Sequence, residues 1–122
     1  ARMTPFEYFD LAQGSLSNVT ALVSLWVAIL SGYVVVAYLV GARLTRAQVV
    51  MLNLNYTIWS LFLLACGGNL IANGMTWENA AKTPGAPVLF VPQAIYFHYC
   101  IGILLLITSL WFMWSVRHTK TD

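Results

Sequence analysis

The residue best suited to chemistry is His98, because it is the one histidine within an apolar segment and histidine is the residue type most used for acid–base chemistry near neutral pH. An ionisable side chain at such a position is a functional-site candidate by default. Asn69 and Asn73 fall at a similar depth on the preceding apolar segment. We therefore predict that His98, Asn69 and Asn73 lie together in one polar pocket beneath the loop 75–92. A neutral imidazole hydrogen-bonded to these amides is the plainest form of that pocket.

A functional form of the pocket would use His98 as a proton sensor, as a hydrogen-bond donor to a quinone, or as one axial ligand of a haem. Two-histidine ligation of a haem within one chain is excluded, since His118 lies about 30 Å away along the third segment at about 1.5 Å per residue. His98 and Cys100 diverge by about 200° on a helix and cannot share a metal ion. We predict no cofactor and no metal site.

No pattern in the sequence identifies an enzyme. The carboxylates Glu7, Asp10, Glu78 and Asp122 all lie outside the apolar segments, where they cannot act on a buried substrate. The sequence has no Ser/His/Asp set, carboxylate pair or phosphate-binding loop. We expect no catalysis by this chain alone, and its net charge of +2 is too small to suggest nucleic acid binding.

The composition is that of a membrane protein. The chain has 122 residues, of which 60% are hydrophobic and 8% charged, and its mean hydropathy is +0.75. A water-soluble domain needs more surface charge. Three apolar segments, at about 17–40, 48–74 and 93–116, are long enough to span a hydrocarbon core of about 30 Å. We predict one all-α domain over residues 1–122, a bundle of three transmembrane helices.

The middle segment carries amides deep within an apolar helix. On a helical wheel at about 100° per residue, its polar residues form two nearly opposite faces. One face holds Asn53, Thr57, Ser60, Gly67 and Gly68. The other holds Asn55, Cys66, Asn69 and Asn73, with Trp59 and Phe62. An amide facing hydrocarbon costs several kcal/mol by order of magnitude, so both faces need cover, either as helix-packing or as pore-lining surfaces.

Small residues recur every four positions in the first segment, at Thr20, Ser24, Ala28 and Gly32. Such a stripe allows two helix backbones to approach closely. We predict that this small-residue stripe packs against the second segment. The larger residues on the opposite side are then expected to face lipid: Leu22, Trp26, Ile29, Tyr33 and Val40.

Basic residues beside the apolar segments predict the orientation. Arg43 and Arg46 lie in the short link between the first two segments, and Arg117 and Lys120 follow the third. Basic flanks stay cytoplasmic, so we expect an external N-terminus and a cytoplasmic C-terminus in a bacterial inner (plasma) membrane. The loop 75–92 is then external, either as an extended lead-in to the third helix or as a plug over the bundle mouth.

Three functions remain open from the sequence. The first is an oligomeric or accessory scaffold subunit of a membrane complex, because the polar and small faces exceed what three helices can cover. The second is a homo-oligomeric pore, since one class of phage holins has the same layout, although this tail lacks their dense charge cluster. The third is binding of haem, quinone or lipid near His98. The expected partners are the lipid bilayer and either further copies or a larger membrane complex.

Overall fold

The computed structural model describes residues 2–82, 84–85 and 87–119 and confirms an all-helical chain. Helix α1 is Pro5–Val40, a 3-10 turn follows at Gly41–Arg43, α2 is Arg46–Ala81 and α3 is Ala94–His118. All three α-helices are long and apolar enough to cross a membrane. Lys120 and Asp122, used in the predictions above, lie outside the described residues.

The first two helices are longer than predicted, with 36 residues each against 25 in α3. Capping boxes begin both: Thr4 and Glu7 for α1, and Thr45 and Gln48 for α2. Helix α2 continues to Ala81, so the connection to α3 begins at Lys82 rather than at residue 75. Residues 75–81 contain neither glycine nor proline to end the helix earlier.

The contact between α1 and α2 uses the large side chains of α1. Tyr33 is buried and stacks on Tyr56 of α2 with ring centroids 4.0 Å apart and an interplanar angle of 12°. Its hydroxyl donates to Asn53 Oδ1 at 2.7 Å. Trp26 is also buried, against Leu63 and Leu64. The prediction that this side of α1 faces lipid is wrong for Trp26 and Tyr33, because the large surfaces of these rings gain dispersion contacts when they pack against α2. Val40 is exposed, and Leu22 and Ile29 are partly buried.

The small-residue stripe correspondingly lies on the outside of the bundle. Thr20, Ser24, Ala28 and Gly32 are all exposed, and a β-carbon at Gly32 would meet nothing within 4 Å. The prediction that the stripe joins α1 to α2 is therefore wrong. The Thr20 hydroxyl donates to Leu16 O at 3.1 Å and the Ser24 hydroxyl to Thr20 O at 3.0 Å. The stripe thus needs no polar partner.

Contacts at both ends hold the three helices in register. Arg117 of α3 donates from Nη1 to Leu44 O at 2.9 Å and to Gly41 O at 3.3 Å, and so ties α3 to the turn between α1 and α2. At the opposite end, Tyr8 of α1 stacks on Trp77 of α2 with centroids 6.1 Å apart. Arg43 and Arg46 lie in or beside the same turn, so Arg43, Arg46 and Arg117 are all at one end of the bundle.

Candidate functional site

His98 lies in the interface between α2 and α3, where glycines let the helices approach. Its Nε2 is 3.0 Å from Leu64 O. A β-carbon at Gly67 would lie 2.6 Å from His98 Cε1, so the imidazole occupies the space that a side chain at Gly67 would need. Leu64 in turn occupies the space beside Gly102 of α3. These close approaches determine which face of α2 receives α3.

The bond to Leu64 also determines the chemistry left to His98. A carbonyl oxygen can only accept, so Nε2 carries the hydrogen and donates it. In the neutral imidazole Nδ1 then has a free lone pair and is an acceptor. Among the described residues, Nδ1 has no hydrogen-bond partner.

The structure does not bring His98 and the two amides together as predicted. Asn69 and Asn73 are both exposed, and in the described part of the chain no hydrogen bond joins either of them to His98. The reason is angular: Asn69 follows Gly67 by two residues, which places it about 160° around α2 from the face that receives α3. The prediction rested on the similar depth of these three residues in the membrane, but depth does not determine which face of α2 a side chain lies on.

An apolar groove runs between α1 and α3 beside His98. Its volume is about 550 Å³. Trp26 forms one wall, and its indole nitrogen is buried without a hydrogen-bond partner among the described residues. Trp26 and His98 also border a separate small space of about 10 Å³. The groove is lined by Val23, Trp26, Ile71, Val91, Gln93, Ala94, Phe97, His98 and Ile101.

A second groove, of about 500 Å³, lies between α1 and α2. It brings Gly32 of the small-residue stripe together with Asn55 and Trp59 of α2. Asn55 is exposed, whereas Asn53 on the opposite polar face accepts the bond from Tyr33. Only one of the two polar faces of α2 is therefore covered within the described chain.

The covered polar face continues into α3. The hydroxyls of Tyr56 and Ser109 are 2.8 Å apart, and Ser109 Oγ also lies 2.7 Å from Leu105 O. Ser109 has one proton, so when it donates to the carbonyl, Tyr56 donates to Ser109. Ser60 is 2% exposed, and its hydroxyl has no partner among the described residues. Thr57 is partly buried on the same helix.

The connection between α2 and α3 is held by Glu78, a role that the sequence analysis missed. Its two carboxylate oxygens accept from Leu89 N at 2.9 Å and from Phe90 N at 2.8 Å. The Phe90 ring occupies the space beside Gly74, one turn before Glu78. A glycine and a carboxylate at this helical spacing are the signal that could have indicated a docked segment.

The geometry thus consists of packed helices with two apolar grooves between them. Among residues 2–82, 84–85 and 87–119, no three His, Cys, Asp or Glu side chains are grouped as metal ligands would be. No protein-family model matches the sequence, and no curated protein or solved structure is significantly similar to it.

Proposed function

We propose that this protein is an oligomeric or accessory subunit of a membrane complex, in which another transmembrane helix covers the outer face of α2. The observation that carries the proposal is the exposure of Asn55 in the single chain. Asn55 follows Arg46 by nine residues, or about 14 Å along the helix, which is near the middle of a hydrocarbon core of about 30 Å. An amide at that depth requires a partner.

The other residues on this face favour a protein partner. Trp59 and Phe62 are 51% and 55% exposed and contact each other edge to face, with centroids 5.8 Å apart. Asn69 and Asn73 extend the face toward the far end of the helix. Large aromatic rings between amides suit a helix interface better than a water-filled path. A pore would instead pass small ions across a liposome membrane, which a flux assay detects.

The proposed orientation places the C-terminus in the cytoplasm of a bacterial cell, with the protein in the inner membrane. The support is the grouping of Arg43, Arg46 and Arg117 at one end of the bundle. A C-terminal fusion to an enzyme active only in the periplasm should show little activity. Strong activity would reverse the orientation.

The mass of the assembly in mild detergent tests the proposed function. One chain has a mass of 13.6 kDa. We expect a multiple of this mass, or a heavier complex with other subunits. Asn55→Leu should weaken that assembly about 3- to 30-fold, since an interhelical hydrogen bond contributes about 0.6–2 kcal/mol. Asn18→Leu, the same change at an exposed position of α1, is the control. A single chain unaffected by Asn55→Leu would contradict the proposal.

The two cysteines supply an independent test for the case in which the partner is a second copy. Cys66 lies on the face of Asn55 and Asn73, and Cys100 is exposed on α3. With Cys100→Ala, oxidation of membranes should join two chains through Cys66. In the Cys66→Ala variant, far fewer chains should be joined through Cys100. Equal cross-linking of the two variants would indicate random collision rather than a contact through α2.

A further inference from the structure

We infer that the groove between α1 and α3 is a binding site for a membrane-soluble phenol whose hydroxyl donates a hydrogen bond to His98 Nδ1. The inference is independent of the proposed assembly, because this groove and the outer face of α2 share no residue. Its basis is a ligand-sized apolar space lined by His98, whose ring proton lies on Nε2 toward Leu64 O and whose Nδ1 can therefore accept a hydrogen bond.

The hydrogen bonding of His98 selects a donor ligand. Nε2–H is engaged by Leu64 O, so neutral His98 can only accept from a group in the groove. A ketone or an ether oxygen offers no proton and cannot make this bond. The indole N–H of Trp26, which lines the same groove, has no acceptor among the described residues. A hydroxyl is a group that can donate to His98 Nδ1.

The walls of the groove select an aromatic, lipid-soluble body. Three of the lining residues, Trp26, Phe97 and His98, carry aromatic rings, and the remaining wall is mostly aliphatic. The volume of about 550 Å³ is within the usual range of about 300–1,000 Å³ for a small-molecule site. Val23, Val91 and Phe97 at its margin are exposed on the outside of the bundle, so a ligand can enter from the bilayer.

A matched pair of probes tests the donor requirement. The probes are 4-dodecylphenol and its methyl ether 4-dodecylanisole, which share the ring and chain but differ in the O–H. We expect the phenol to bind about tenfold more tightly to the full chain in phosphatidylcholine nanodiscs, by native mass spectrometry. The phenol should also shift the ¹⁵N resonance of His98 Nδ1. Equal affinity for the two probes would mean occupation by an alkyl chain only and would overturn the inference.

Variants locate the site. His98→Leu should remove the preference for phenol over ether. Val23→Trp fills the groove from an exposed position and should abolish phenol binding, whereas Val27→Trp, also exposed on α1 but outside the groove, should not. The two tryptophan variants still test the site if the His98→Leu protein does not fold. Phenol binding that survives Val23→Trp, or 1-dodecanol binding as tightly as the phenol, would contradict the assignment.

Discussion

The imidazole of His98 lies directly against the backbone of Gly67, where a β-carbon would be 2.6 Å from Cε1 and 2.7 Å from Nε2. This contact places the ring within hydrogen-bonding distance of Leu64 O, one turn earlier on α2. One glycine thereby determines the position of α3 and the tautomer of its histidine.

Gly67→Ala should destabilise the protein by about 1–3 kcal/mol, because the new methyl group displaces a ring that is held by a hydrogen bond. Gly32→Ala is the matched control, since a β-carbon at this position meets open space. Replacing a glycine within a helix by alanine should stabilise the protein by about 0.5–1 kcal/mol. Unfolding in mixed detergent micelles measures both free energies. Equal effects of the two substitutions would mean that His98 moves aside without loss.

Tyr33→Phe should destabilise the bundle more than Tyr56→Phe, although each substitution removes one hydroxyl. Without Tyr33, Asn53 Oδ1 loses its partner inside the bundle, with a penalty of about 1–3 kcal/mol. Without Tyr56, Ser109 still donates to Leu105 O, so we expect a loss of about 0.5–1.5 kcal/mol. The same unfolding titration ranks the two variants, and the reverse order would show that Asn53 finds another donor.

Arg117→Met should release the end of α3 from the turn between α1 and α2. The substitution removes the bonds to Gly41 O and Leu44 O but keeps an unbranched side chain. Hydrogen bonds from a charged donor contribute about 1.5–3 kcal/mol. We expect faster amide exchange in the last turns of α3, measured by mass spectrometry. Arg43→Met, an exposed position of the same turn, should leave that exchange unchanged.

Glu78→Gln should loosen the connection between α2 and α3. A carboxylate accepts from both Leu89 N and Phe90 N, whereas the amide of Gln would turn a donor toward one of them. Amide exchange of these two residues should accelerate about tenfold or more, since one or two charge-assisted bonds are lost. Glu7→Gln at the start of α1 is the control. Unchanged protection of Leu89 and Phe90 would show that packing of the Phe90 ring on Gly74 suffices.

The number and type of helices could be predicted from the sequence, but their facing surfaces could not. The lengths of the apolar segments and the short link from Arg43 to Arg46 were enough to predict three helices. In a soluble protein, polarity separates the outside of a helix from the inside. In an apolar helix that signal is absent, so side-chain size had to decide, and Tyr33 rather than Gly32 faces α2.

The candidate site was predictable in part. His98 was identified from its residue type and position, but its hydrogen-bond partner, Leu64 O, was not. The two opposite faces of α2 are both polar, so polarity did not indicate which of them packs against α3. The adjacent pair Gly67 and Gly68 was the better signal, since rings from α3 occupy the space beside both glycines. A main-chain acceptor such as Leu64 O has no signature in the sequence at all.

The unequal lengths of the helices have a consequence for any soluble molecule that approaches the protein. At about 1.5 Å per residue, the 36-residue helices are about 54 Å long. Tilted by a typical angle of about 20°, they still rise about 51 Å along the bilayer normal, about 20 Å more than the hydrocarbon thickness. In the orientation proposed above, with Arg43, Arg46 and Arg117 at one membrane surface, this excess length projects from the opposite surface. That placement would hold the segment bound by Glu78 beyond the lipid, where antibodies and proteases can reach it.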